Sequence, residues 1–389
     1  MMTDLYFDAN ATTPLSQTAV EAWLAASRQH WHNPSSLYPE AVEARGILDD
    51  LRESLAEALD CPSRRIVFTS GATESNNAVL NHAASLLEES KLAFVTSAIE
   101  HPSVSEVADF LFRRKEFYQI GVTGDGVFNL ENFATVVDDG KAGFVSLMAA
   151  NNETGVLQPW REVAAVCRKR EILFHCDASQ WVGKEPLEGL AECDFVTVSA
   201  HKFGGPPGVG FLLIPEESSF QGRLGGPQEG GRRGGTENLP AIAAMMAALM
   251  DRKDMPSGIF RNQFEADLVE CLPGVKLLGA QVPRLANTSM FVLPEHKNLR
   301  WLTRLGRRGF AVSTGSACSA GKGDPSRVMQ AMGCSFEEMG RVLRISSLPD
   351  AGAEEWESFL DALLEVRDEL GRGSSSSSAG IPKISLADF

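Results

Sequence analysis

Lys202 closes the run Phe195-Val-Thr-Val-Ser-Ala-His-Lys202, and Asp177 closes a second apolar run upstream, Ile172-Leu-Phe-His-Cys-Asp177. A lysine at the mouth of a buried strand is costly to keep charged, because desolvation penalises the ammonium. An amine and a carboxylate at the ends of two such strands are what a pyridoxal phosphate enzyme needs. The amine joins the cofactor's aldehyde, and the acid keeps the pyridine nitrogen protonated so that the ring takes up electrons. A surface lysine and a surface aspartate in two loops explain the pair equally well, so the rest of the chain must decide.

Other residues fall at similar junctions. Thr69-Ser-Gly-Ala-Thr-Glu-Ser-Asn76 sits between a strand and a helix. Gly71 allows close backbone approach, the helix start offers N–H groups to an anion, and Thr73 adds a hydroxyl. An ordinary helix cap by Ser70 or Thr73 is the competing explanation. His101 ends the segment Val95–His101, where an imidazole stacks on a ring and moves protons or merely caps a helix. Asn152, in Asn151-Asn-Glu-Thr-Gly155, offers an amide to a phenolate oxygen or serves a turn. Gln180 offers the same chemistry as Asn152. The glycine-rich stretch Gly225–Pro240 carries Arg232, Arg233 and Thr236 and suits a phosphate-binding or interface loop rather than core. Cys318 lies among small residues in Val312–Lys322, where nothing buries its sulfur, and reads as a nucleophile or a swinging carrier. Arg344, on an expected strand, suits a carboxylate held by two parallel hydrogen bonds, or a surface salt bridge.

The elements that must position these residues follow from periodicity. Pro39–Asp60 is helical, with Ala44, Leu48, Leu51, Leu55 and Leu59 at three- and four-residue steps. Strands are predicted at Arg65–Ser70, Leu92–Ser97, Phe117–Val122, Gly143–Ala149, Ile172–Cys176, Asp194–Ser199 and Val209–Ile214, with helices between many of them. Repeated strand–helix units imply an α/β protein on a mainly parallel sheet, which binds ligands outside the carboxyl ends of its strands. Met250–Gly258 reads as a junction. Beyond it come strands near Asn287–Leu293 and Arg341–Ser346 and a helix at Ala353–Leu370. The serine-rich stretch Gly371–Gly380 reads as a linker.

The 389 residues are 43% hydrophobic and 22% charged, as globular chains are. A formal net charge of −15 disfavours nucleic acid as a partner. No apolar run is long enough for a membrane span, and no secretory pattern opens the chain, so a cytoplasmic protein is expected. The seven cysteines include no Cys-x-x-Cys pair, which argues against a disulfide framework and a zinc knuckle, and no metal is expected.

Taken in order, these segments resemble the cysteine desulfurases, in the class-V aminotransferase family of fold-type I pyridoxal phosphate enzymes. The resemblance runs from about residue 5 to 370. It rests on Tyr6–Pro14, Asn33–Ser36, Ser70–Ser75, Glu100-His101, Asn151–Gly155, Asp177–Gln180, Ser199–Lys202, Arg233–Asn238 and Gly315–Cys318. It implies a large domain (residues 14–255) with a seven-stranded, mainly parallel sheet. A smaller α/β domain (1–13 and 256–370) carries the catalytic cysteine loop, and a tail (371–389) follows. By resemblance, Lys202 holds the cofactor and moves protons, Asp177 pairs with the ring nitrogen, His101 stacks on the ring, and Asn152 and Gln180 bind its polar edge. Ala72 joins the cofactor-binding set. Thr73, Ser199 and His201 bind the phosphate, and Thr236 reaches the phosphate of a second subunit, implying a homodimer.

Arg344, with Asn152, binds the substrate. Cys318 takes sulfur from L-cysteine, leaving L-alanine, and passes it to a protein acceptor for iron–sulfur cluster or thio-cofactor synthesis. Alternatives are a selenocysteine lyase or aminotransferase with Cys318 secondary, or a non-catalytic sulfur-relay partner. Tyr38, Pro207, Gly230 and the serine-rich tail depart from the family pattern and bear on the acceptor rather than the chemistry.

Overall fold

The computed structural model describes residues 5–217, 219–252, 257–315 and 326–373. All seven strands expected before residue 250 are present and form one sheet. Its order is Ile66–Thr69, Gly210–Leu213, Phe195–Ser199, Leu173–Asp177, Ala142–Met148, Ala93–Ser97 and Phe117–Ile120. The Gly210–Leu213 strand is antiparallel to both neighbours, and every other pairing is parallel. The architecture is that of the fold-type I pyridoxal phosphate enzymes.

The strand sequences are continuous apolar runs because both sheet faces are covered, so that each residue of the period-2 ribbon meets protein. Ile66 and Phe68 join one core cluster while Val67 joins another, and Val196 and Phe195 divide the same way. The helix Pro39–Leu59 starts with proline in its first turn and ends on Asp60 at φ 52, within a residue of its predicted bounds. Two helices that the sequence patterns did not single out, Gln17–Gln29 and Leu239–Met250, pack on each other.

After the Met250–Gly258 junction a third apolar cluster forms around Phe264, Phe291, Trp301, Trp356, Phe359 and Leu363, and Phe7 from the N-terminal segment enters it. Its sheet has Thr288–Val292 between Lys276–Leu277 and Val342–Ser346, all antiparallel, with Met290 opposite Arg344. Leu5–Tyr6 pairs in parallel with Phe310–Ala311, and Asp8 bridges to Ser346. Residues 8–10 are thereby carried to the edge of the large sheet. No helix among the described residues is long and apolar enough to cross a membrane.

Candidate active site

Six strands of the large sheet run in one direction, since two antiparallel steps separate Ile66–Thr69 from Phe195–Ser199 and the remaining pairings are parallel. Their carboxyl ends therefore share one edge. That edge receives Gly71–Thr73, His101, Asn152, Asp177 with Gln180, and Ser199 with Lys202. A parallel sheet delivers its loops this way whatever their sequence; the residue types at these ends are what distinguish the site.

Asn10 is the hub, and it is buried. Its carbonyl oxygen accepts from Lys202 Nζ at 2.7 Å and from Gln180 Nε2 at 2.9 Å. Lys202 Nζ also donates to Ala11 O at 2.8 Å. The Asn10 side-chain amide donates to Asn152 O (3.3 Å) and Thr288 Oγ1 (2.9 Å), and its Oδ1 accepts from Lys184 Nζ (2.7 Å). Lys184 donates in addition to Gln180 Oε1. Burial, with Lys202 and Arg344 nearby, holds the Lys184 amine well below its ordinary pKa. Asn10, inside the Tyr6–Pro14 segment, and Lys184 carry no apolar period, and their spatial convergence is what shows their role.

The Asp177 carboxylate is buried and accepts from Ser179 N (3.0 Å), Ser179 Oγ (2.6 Å) and Asn76 Nδ2 (2.8 Å). Charge-assisted bonds of this kind hold a carboxylate's direction firmly. His101 is the N-cap of the helix Pro102–Leu111, its Nδ1 accepting from Ser103 N at 3.2 Å. Capping and chemistry are thus compatible here, because the cap uses only one ring nitrogen. Burial lowers its pKa. The turn at 151–155 is held by Asn151, whose Oδ1 accepts from Glu153 N, Thr154 N and Thr154 Oγ1, so Asn152 is not needed for turn chemistry.

At the phosphate end, neither Ser70 nor Thr73 caps the helix Ala72–Leu86. Its N-cap is Gly71 at φ 131 with no side-chain cap bond. A Cβ on Gly71 would stand 3.2 Å from Ser199 Oγ, so the glycine keeps the helix start and the serine in close approach. Thr73 is exposed, and His201 Nδ1 lies 3.1 Å from Thr12 Oγ1. Burial and Lys202 push the His201 pKa down to about 4. An uncapped helix start, a hydroxyl, an amine and a buried carboxylate on one edge are the donor set that pyridoxal phosphate requires, and the residues fit it.

Arg344 is buried. It donates through Nη1 to Asn152 O (3.1 Å) and Gly315 O (2.7 Å), and pairs through Nη2 with Asp8. Its Nε has no partner among the described residues. A buried guanidinium N–H with no acceptor among the described residues is a donor still to be satisfied. Arg344 is therefore not a surface salt bridge.

Thr236 is exposed and outside this hydrogen-bonded set. In the glycine-rich loop, Arg233 pairs with Glu74 at 3.0 Å. Glu229 turns inward to meet Arg52 and the Phe68 amide, although the loop was expected to contribute nothing to the interior. Cys318 lies outside the described residues. Of the other cysteines, Cys271 is exposed and Cys61 half-buried, while Cys167, Cys176, Cys193 and Cys334 are buried. Among the described residues no cluster of three or more potential ligands could hold a metal ion.

One consequence concerns stability. His175, two residues before Asp177, is fully buried between Ser146 Oγ and Thr197 Oγ1, each 2.9 Å away. Burial lowers its pKa to about 4, against a weaker opposing pull from Asp177. The unfolded chain takes up this proton near pH 6.5, the native state only near 4, so stability is intact above 6.5 and lost as pH falls between those values. The expected loss is about 3 kcal/mol by pH 4. Urea midpoints measured from pH 7.5 to 4 should fall more steeply for the wild type than for His175→Gln; parallel curves would contradict the assignment.

Comparison with known proteins agrees with this geometry. Residues 5–359 match the family described as "Aminotransferase class-V". A cysteine desulfurase of Enterobacter agglomerans is 36% identical over 354 residues, covering 89% of this chain and 88% of that one. A solved NifS-like protein superposes with a TM-score of 0.84 at 32% identity, over 94% of this chain and all of the other (100%). The structure titled "SspA in complex with cysteine" gives 0.79 at 28% identity, over 89% and 99% of the two chains.

Proposed function

We propose that this chain, which belongs to the class-V aminotransferase family, is a pyridoxal-phosphate-dependent cysteine desulfurase. The observation that carries the reading is the convergence on Asn10: one carbonyl oxygen shared by Lys202 and Gln180, beside an Asn152 carbonyl shared with Arg344. Bound at this edge, the cofactor supplies an electron sink for bonds broken on the substrate's α- and β-carbons. The chain's residues do the rest. With the cofactor bound, Asp177 would hold the ring nitrogen, His101 would stack on the ring, and Asn152 and Gln180 would bind its polar edge. Ala72, Thr73, Ser199 and His201 would hold the phosphate. Lys202 carries protons to and from the substrate carbons. Arg344 grips the α-carboxylate of L-cysteine. The Cys318 thiolate attacks the substrate sulfur; an S–S bond forms as the C–S bond breaks, and protonation at carbon leaves L-alanine.

Further parts of the reading follow from the family. The chain divides into residues 14–255 and a smaller unit of 1–13 with 256–370. It works as a cytoplasmic homodimer, with Thr236 serving the partner's phosphate. The sulfur carried by Cys318 passes to a protein acceptor in iron–sulfur cluster or thio-cofactor synthesis. A solved relative titled as a complex with cysteine supports the substrate.

Purified protein given L-cysteine and a thiol reductant should release alanine and sulfide in equal amounts, and should not transaminate added keto acids. Keto-acid-dependent turnover without sulfide would overturn the assignment in favour of an aminotransferase. Arg344→Ala should raise KM for cysteine by about 10- to 150-fold, the value of a charged hydrogen-bonded contact, with little change in cofactor affinity. An unchanged KM would remove Arg344 from the substrate site.

A further inference from the structure

We infer that Asn76 and Ser103 form a fixed hydrogen-bond relay from the Asp177 carboxylate to the His101 ring, locking that ring in the tautomer with its proton on Nε2. The relay stands on contacts within the chain and rests on the desulfurase reading only for what the ring then does. Neither residue belongs to the sequence-derived set, and both are buried.

The direction of each bond follows from counting protons. The Asn76 carboxamide has two N–H groups. One donates to Asp177 Oδ2 at 2.8 Å and the other to Ser103 Oγ at 2.9 Å. The flipped amide would set its oxygen against a carboxylate oxygen, so the orientation is fixed by charge. Asn76 Oδ1 is buried without a partner among the described residues, a desolvation cost accepted for those two donations. Ser103 has one hydroxyl proton. With Asn76 donating to its oxygen, that proton points to His101 Nδ1, 2.8 Å away. The Ser103 backbone N–H aims at the same nitrogen from 3.2 Å. Nδ1 therefore accepts twice and is bare, and the neutral ring carries its proton on Nε2.

Protonating His101 would place a hydrogen on Nδ1 against an N–H and force the Ser103 hydroxyl to turn away from the one acceptor it has among the described residues. The relay thus opposes the charged ring. The surrounding groups are Asp177 and Glu106, which favour the charged ring, and Lys202, which with burial, the largest influence, disfavours it. Glu100, next in sequence, is buried, and desolvation pushes its own pKa well up, against a backbone hydrogen bond from Met148 that favours the charged form. His101 consequently presents Nε2 as a hydrogen-bond donor on a neutral ring. Asn76 and Ser103 are positioning residues, since they act only through Asp177 and His101.

The test is nitrogen-15 NMR of histidine-labelled full-length protein, as purified and after removal of the cofactor, with His101 assigned from the resonance lost in His101→Gln. At pH 7.5 Nε2 should appear protonated and Nδ1 bare. Ser103→Ala, which deletes the hydroxyl donor but keeps the backbone one, should raise the ring's proton affinity about tenfold, moving its midpoint up by about one unit. Ser103→Thr keeps a hydroxyl and should restore the wild-type midpoint, which a purely structural role would not require. Asn76→Ala should allow Ser103 to accept, populating the Nδ1–H form. A wild-type ring protonated on Nδ1, or equal midpoints in wild type and Ser103→Ala, would overturn the relay. No turnover is needed for this measurement, so a failed relay and a failed desulfurase assignment are separately visible.

Discussion

Lys202→Ala is expected to give a folded protein that has lost the visible absorption of covalently held cofactor and nearly all turnover of cysteine. Two functions vanish together. In the proposed reading the amine is the covalent anchor and also the group that moves protons on the substrate. Positioned proton transfer alone contributes about 10²–10⁴-fold, so alanine formation should fall by more than about 10³-fold. The fold should survive. Lys202 donates to the carbonyls of Asn10 and Ala11 at a half-buried position, where water can replace its bonds. Lys202→Arg should not rescue, because a guanidinium stays protonated and cannot act as the nucleophilic amine. Absorbance spectra and alanine assays check both statements. A Lys202→Ala variant that keeps the absorption band and turns over cysteine at the wild-type rate would refute the site.

Cys318→Ser separates the second half of the chemistry from the first. Cofactor absorption should remain, while sulfide and alanine formation drop by at least about 10³-fold, because a hydroxyl at neutral pH supplies almost no anion to attack sulfur. The neighbouring described residues are engaged at the site: Gly315 O accepts from Arg344, and Ser326 Oγ donates to Glu153 Oε2 at 2.6 Å. The other cysteines offer little competition. Burial drives the Cys167 thiol up to about 12, lifts Cys176 well above its ordinary value, and raises Cys334 and Cys61 as well. Cys271 is exposed and serves as the control, since Cys271→Ser should leave turnover intact. Mass spectrometry after a single turnover should find the added sulfur on Cys318. Its appearance on Cys271 instead, or full activity in Cys318→Ser, would reassign the nucleophile.

Much of this molecule is legible in its residues. Continuous β-branched and aromatic runs such as Phe195–Ser199 can only be strands covered on both faces, and the strand–helix alternation then forces a mainly parallel sheet. Such a sheet puts Asp177, His101 and Lys202 at one edge without further information. The helix Pro39–Leu59 announces itself by its apolar period and its proline start. The departures are equally physical. Gln17–Gln29 has only two buried side chains, both alanine, so its apolar stripe is too thin to read. Leu239–Met250 is apolar around most of its surface, and periodicity carries no signal there. For the helix at Ala72 a hydroxyl cap competes with an anion cradle in the sequence; the structure has no side-chain cap there, its N-cap being Gly71 at φ 131 with Ser199 Oγ 3.2 Å from where a Cβ would stand.

Sequence alone determined which chemistry the chain carries: an amine and a carboxylate at strand ends, in an order that matches one enzyme family, with a cysteine among small residues. Those are properties of residue type and local pattern, and they are set before folding. The tertiary structure alone decided how the groups are held. Asn10 and Asn76 lie inside the segments Tyr6–Pro14 and Thr69–Asn76, but no period, charge run or spacing names the partners of these two or of Ser103 and Lys184. Their meaning arises when segments far apart in the chain meet at hydrogen-bond distance, as Asn10 does with Lys202 and Asn76 with Asp177. A hydrogen bond acts over about 3 Å in space and is indifferent to separation along the chain, so only the folded arrangement reveals it.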